Sequence, residues 1–227
     1  MFGGRKPKRA WTGRDQVLLD TCVIAATVGH AEQRPELPEL FAPFPASLGP
    51  AEPLWAAGAY MAYDFRALGD GSYSTSRMMV AGTGALGMGL MAASVAGSAI
   101  SNAQVRNRAA ADARPRWLPV HSGDLYIGQL GCYFHTPMVL AWDWGSVEEV
   151  TVVEPGAIRW TGESTKGKVS WIVNSMWAEL IFVLWAFARH PHHPQLAGGA
   201  WLPPGWVQWA QYHGRSVPGE ALMLQQR

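Results

Sequence analysis

Small side chains recur at every fourth position, Ala81, Ala85, Gly89, Ala93, Gly97 and Ser101, through a stretch 78–105 that carries no charge. The spacing predicts a helix with one bare ridge. From Ala81 to Ser101 it would run roughly 31 Å at 1.5 Å per residue, close to the hydrocarbon thickness of a bilayer. Residues four apart line a ridge, so a second helix can approach that side closely. Met79, Leu86, Leu90, Val95 and Ile100 fall between the steps and suit either lipid or a protein core. Three destinations therefore stay open: a bilayer, the interior of the fold, or a contact between copies. Gly, Ser and Thr weaken the apolar transfer energy of the run. Basic residues flank it on both sides, with Arg5, Lys6, Lys8, Arg9 and Arg14 before it and Arg106, Arg108, Arg114 and Arg116 after it. A single pass would have to translocate one of these flanks.

Upstream, Val17, Leu18, Cys22, Ile24, Ala25 and Val28 give a broad apolar face to a helix, and Thr12 with Asp15 has capping-box spacing at its start. Asp20 and the shortness of 17–28 argue against a span. Pro35, Pro38, Pro43, Pro45, Pro50 and Pro53 make 33–53 an extended linker. Pro53 at a first turn, the run 54–68 and Gly69 outline a second helix.

After Arg116 the pattern turns from helical to alternating. Short β-type runs are 117–120, 125–127, 132–134, 139–142, 147–153, 157–160 and 169–173, punctuated by Gly123, Gly131, Pro137, Gly145, Pro155, Gly156, Gly162 and Gly167. Such a set can close into a small barrel or two packed sheets. A helix over 175–188 follows, with Ser175 as its cap and Arg189 and His190 at its negative end. Its only charge is Glu179, which predicts cover on more than one side.

Strands followed by a single helix resemble the PH-like superfold in its bacterial or GRAM-like form. The residues that carry the resemblance are Gly123-Asp-Leu-Tyr-Ile-Gly-Gln-Leu-Gly-Cys-Tyr-Phe134, Trp142-Asp-Trp-Gly-Ser-Val147 and Trp177-Ala-Glu-Leu-Ile-Phe-Val-Leu-Trp185. The resemblance implies a lipid- or protein-binding module without catalytic activity. Phosphoinositide-binding members carry a basic loop between their first two strands. Here the corresponding loop reads as His121-Ser-Gly-Asp124, so that specificity is not implied. Arg159, Lys166 and Lys168 are the candidate ligand-binding cations of the later hairpins; a solvated strand face also explains them.

Composition sharpens this picture in a few places. Charged residues make up only 15% of the 227 residues while Trp is used 12 times, so apolar surface must be hidden by a core, a partner or lipid. A net charge of +1 gives no reason to expect nucleic acid. Cys22 and Cys132 lack any CxxC pattern, which argues against a disulfide framework or structural zinc and for a reducing compartment. No apolar core follows the basic start, so no signal peptide is expected. His190, His192 and His193 invite a metal reading, but Pro191 and Pro194 break helical presentation and no carboxylate adjoins them. Gly82-Thr-Gly84-Ala-Leu-Gly87 matches G-x-G-x-x-G without a preceding strand, and belongs with the packing ladder. Asp124, Asp143, His121 and His135 could form acid/base pairs only if folding gathers them. Leu202-Pro-Pro-Gly-Trp206 is similar to the opening of a WW domain, whose later strand and closing residues are missing.

The expected architecture is α+β. A helix occupies 1–32, a linker 33–53, a helical region 54–111 with the ladder at 78–105, a PH-like barrel with its capping helix 112–190, and a Trp/Pro-containing tail 191–227. The expected function is a noncatalytic, membrane-associated adaptor or scaffold without a cofactor. Its partners would be membrane lipid or a membrane-associated protein, with the PH-like domain cytoplasmic and self-association through the ladder. The alternative is a soluble, cytoplasmic homo-oligomer assembled by the ladder helix.

Overall fold

A computed structural model of the chain describes residues 9–28, 40–45, 47–49, 52–68, 103–165 and 167–218. The ladder residues Ala81, Ala85, Gly89, Ala93, Gly97 and Ser101, and Lys166, lie outside the described residues. The chain divides into two compact units, 1–63 with 119–227, and 64–118.

The first unit is built on a seven-stranded sheet: β1 (Leu54–Arg66), β2 (Arg116–Gly128), β3 (Gly131–His135), β4 (Val139–Asp143), β5 (Val147–Glu154), β6 (Ala157–Ser164) and β7 (Gly167–Ser175). The strand order is β4-β3-β2-β1-β7-β6-β5, and the sheet is antiparallel and not closed into a barrel. The outer strands follow the alternating runs of the sequence closely. β1 does not: 54–66 is a strand where Pro53 at a first turn, the run 54–68 and Gly69 pointed to a helix. Ala56, Tyr60 and Ala62 are buried on one side of it, a period of two made from side chains of unremarkable β propensity. Small residues are needed there. A Cβ on Gly58 would come within 2.9 Å of the Trp177 indole, and the Trp177 Nε1–H donates to the Ala57 carbonyl at 2.9 Å. β2 also joins 117–120 and 125–127 into one long strand.

Among the described residues this unit has α1 (Gly13–Val28) and, after the sheet, α3 (Ala178–Arg189), α4 (Pro194–Ala197) and α5 (Trp206–Tyr212); α2 comprises the helical residues 103–112 of the second unit. The capping box at the start of α1 is formed. Thr12 N–H donates to Asp15 at 3.0 Å, and Asp15 N–H to the Thr12 hydroxyl at 3.2 Å. Asp15 is only 1% exposed and also accepts from Arg9 and from Trp206 Nε1–H, which fastens α5 to α1. α3 starts at Ala178, three residues beyond the expected cap. Ser175 instead donates its hydroxyl to the Ala59 carbonyl of β1 and accepts from Trp177 N–H. Every residue from Ala178 to Ala186 is buried, because α3 packs on β5, β6 and β7 on one side and on α1 on the other. Its charge, Glu179, is paired with Arg14 of α1 and accepts the Gly156 N–H at 2.8 Å.

In the second unit, α2 ends where Leu68 N–H donates to the Asp112 carbonyl at 2.9 Å, and Arg116 pairs with Asp112. Among the described residues no helix is long and apolar enough to cross a membrane.

Removing one partner of a buried pair leaves the other charge without solvation, at about 3–5 kcal/mol. Arg14→Met is therefore expected to lower unfolding free energy, measured in urea, by about that amount. Glu179→Gln should cost less, since an amide oxygen can still accept from Gly156. Equal losses would show that the ion pair is not what holds α1 on α3.

Candidate functional site

Aromatic rings fill the inner side of the sheet and make it bend. Trp142 on β4 lies 5.7 Å from Trp171 on β7 and 5.6 Å from Trp160 on β6, both nearly edge-on. In a flat sheet β4 and β7 would be four strand spacings apart, about 19 Å. The sheet therefore curls until its end strand touches the far half through side chains, while the backbones stay unbonded. Space for this exists because β6 carries Gly162, whose Cβ would meet the Trp142 ring at 2.8 Å.

The gap so left is a cleft of about 480 Å³. Val139, Leu140, Ala141 and Trp142 form one wall and Val169 and Trp171 the other, with Ser146, Glu163, Ser164 and Thr165 completing the lining. Its size and apolar walls with few polar groups suit a binding cleft. Deeper in, the Tyr60 hydroxyl and His121 Nδ1 share a hydrogen bond of 3.0 Å, and both rings pack against Phe134. Burial lowers the His121 pKa and pushes Tyr60 up to about 12, with Cys132 and Asp124 adding to the latter. The pair is thus neutral. His121 Nε2 is buried without a partner among the described residues.

The other residues singled out from the sequence are employed separately. Asp143 accepts from Ser146 N–H and Oγ–H, capping the short 3₁₀ turn Trp144–Ser146, and these bonds hold its carboxyl below the usual range. His135 packs on Phe44 and Tyr126. Asp124 is exposed. The acid/base pairs imagined from the sequence do not gather around one point. His193 accepts the Gln195 N–H at the start of α4 and lies against Phe182 and Trp185; His190 also lies against Trp185. Among the described residues no group of His, Cys, Asp and Glu could hold a metal ion. Burial pushes both thiols up, Cys22 to about 12 and Cys132 well above the usual thiol value.

Arg159 and Lys168 stand on the outer side of the β6–β7 hairpin. Lys168 is opposite Glu163 and ion-paired with Glu148 at 2.9 Å, while Arg159 lies opposite Ile172, four residues farther along β6. The two cations are not brought together.

Sequence reasoning overlooked a second surface, in the second unit. Phe65 and Trp117 touch at a centroid distance of 5.4 Å yet are 55% and 40% exposed, and Leu68 is 60% exposed. Around them in sequence stand Arg66, Arg106, Arg108, Arg114 and Arg116 against Asp64 and Asp112. The signal was present in the charge pattern, but reading 54–68 as a helix separated Phe65 from Trp117. No protein-family model matches the chain, and no curated protein or solved structure does so either.

The lowered His121 pKa has a pH signature. Its contribution to stability is complete above the free imidazole value of about 6.5 and is lost as pH falls below it, levelling off under the folded-state pKa. The urea midpoint should therefore drop between about pH 7.5 and 5.5. In His121→Phe the drop should shrink, leaving the part due to His193, whose pKa is also lowered, first by burial and then by His190. An unchanged slope in the variant would mean that His121 titrates as if in water.

Proposed function

We propose that the chain is a noncatalytic, membrane-associated adaptor whose sheet-and-helix unit is a PH-like interaction module. Seven strands in one antiparallel sheet followed by a helix laid on it is the layout on which that resemblance rests, with an open edge in place of a closed barrel. The best-anchored carboxylates serve the fold: buried Asp15 and Glu179 hold elements together, exposed Asp143 caps its own turn, and half-buried Glu52 accepts from Leu130 N–H and the Tyr133 hydroxyl.

The observation that carries the membrane part is the exposed Phe65–Trp117 pair amid arginines. Because β1 precedes the expected domain, the connection between the first two strands is 67–115, and 121–124 lies inside β2. That connection and its flanks are basic. They also hold both ends of the uncharged run 78–105. Aromatic rings beside arginines suit the interface of a bilayer, and each cation near an anionic surface adds about 1 kcal/mol. On this reading the PH-like unit lies on the cytoplasmic side.

Flotation of the full chain with phosphatidylcholine vesicles, with and without phosphatidylserine, tests the proposal. The chain should float, and more of it with the anionic lipid. Arg114→Gln/Arg116→Gln should lower the anionic-lipid preference roughly tenfold or more, as the loss of two such cations implies. A chain left at the bottom of the gradient with both vesicles would overturn the membrane reading. If it then sediments as a defined oligomer, the ladder is a subunit contact instead.

A further inference from the structure

The two ends of the sheet are finished differently. At β5 the outward backbone is occupied by side chains: the Gln195 amide donates to the Val152 carbonyl at 2.8 Å and accepts from Val152 N–H at 3.0 Å, as a neighbouring strand would. Trp185 Nε1–H takes the Val147 carbonyl at 3.1 Å. At the other end, β4 pairs with β3 alone.

The bonding phase of β4 is fixed at both ends. Thr136 N–H donates to the Met138 carbonyl at 2.9 Å and Trp144 N–H to the Leu130 carbonyl at 3.1 Å. Antiparallel pairs alternate, so Leu140 and Trp142 bond inward to Phe134 and Cys132, and Val139 and Ala141 turn N–H and C=O outward. Among the described residues nothing bonds to those groups. The strand Val139-Leu-Ala-Trp-Asp143 has neither Lys nor Pro, the residues that ordinarily blunt an edge. Its inner side chains, Leu140 and Trp142, wall the 480 Å³ cleft.

Charge selects among extended partners. The stretch 119–175 carries Asp124, Asp143, Glu148, Glu149, Glu154 and Glu163 against Arg159, Lys166 and Lys168. Glu148 takes up Lys168, and β4 itself ends on exposed Asp143. We infer that the β4 edge docks an extended peptide of alternating apolar and basic residues. It adds as a further strand beside Val139 and Ala141, with apolar side chains in the cleft against Trp142 and Trp171 and basic ones on the outer side, where Asp143 stands exposed at the end of β4. This rests on the interaction-module reading of the unit and names the partner's class.

The probe is a fluorescein-labelled hexapeptide of alternating lysine and valine, titrated with the full chain and followed by anisotropy, beside its glutamate–valine counterpart. Saturable binding of the lysine peptide, weakened roughly tenfold or more by Ala141→Pro and kept by Ala141→Ser, is expected, because proline removes one outward N–H. An edge strand tolerates proline, and the melting curve checks that the variant folds. Should it not fold, a lysine–valine peptide N-methylated at alternate residues replaces it and should bind correspondingly less. Equal binding of the glutamate peptide, indifference to both Ala141→Pro and N-methylation, or no saturation by roughly 1 mM overturns the inference. Vesicle flotation of the same preparation separates the readings. Peptide binding lost with flotation intact removes this inference alone, whereas the reverse removes only the membrane reading.

Discussion

Burial of Glu179 obliges the rest of the first unit to meet around it. A carboxylate with 1% exposure survives only where cations and N–H groups surround it. Here they come from two distant places, Arg14 of α1 and Gly156 of the β5–β6 turn, both on Oε1, while Oε2 has no partner among the described residues. Arg14 also donates to the Met176 carbonyl, just before α3 begins. One charge therefore fixes α1, the start of α3 and one end of the β5–β6 hairpin together. Asp15, one residue along from Arg14, makes the same demand in the other direction. Burial would raise its pKa, but hydrogen bonds from Thr12 and Trp206 and the charge of Arg9 outweigh that and hold it low. The tail comes back through Trp206 because a buried carboxylate needs its N–H.

What could be read from the sequence follows from how local each signal is. Thr12 and Asp15 announce their helix start because both partners of the capping box lie within one turn. The strands from Gly131 onward announce themselves because each pairs with a neighbour across a short turn marked by proline or glycine. β1 gave no such notice. Its nearest partner in the sequence, β2, begins far downstream at Arg116, and Gly58 is small to make room for Trp177, not to favour a strand. Tertiary fit overrode helix propensity, and the central strand was the one least visible. The interaction surfaces were hidden for the same reason. Phe65 meets Trp117 only if β1 exists, and an edge at β4 is recognisable only once the strand order is known.

The curl of the sheet connects these observations. Trp142 can reach Trp160 and Trp171 because Gly162 leaves space, yet the contact is between side chains and satisfies no backbone group. A closed barrel would have joined β4 to its opposite number and abolished the edge. Stopping short preserves both a row of outward N–H and C=O groups and an apolar cleft beneath them. At β5 the same problem is solved by one glutamine, which shows how little is needed to finish an edge within this fold.

Net charge conceals the same division of labour. A value of +1 for the whole chain suggests indifference to charged partners, but it is a sum over regions of opposite sign. Arg66, Arg77, Arg106, Arg108, Arg114 and Arg116 outnumber Asp64, Asp70 and Asp112 along 64–118, whereas carboxylates outnumber cations along 119–175. Salt screens exposed charges beyond about 8 Å at physiological ionic strength, so a partner senses the local sign and not the total. On the proposed adaptor reading, bare aromatic rings in the basic region and a bare strand edge in the acidic one would select different partners, a separation that follows from where β1 and β2 divide the sequence.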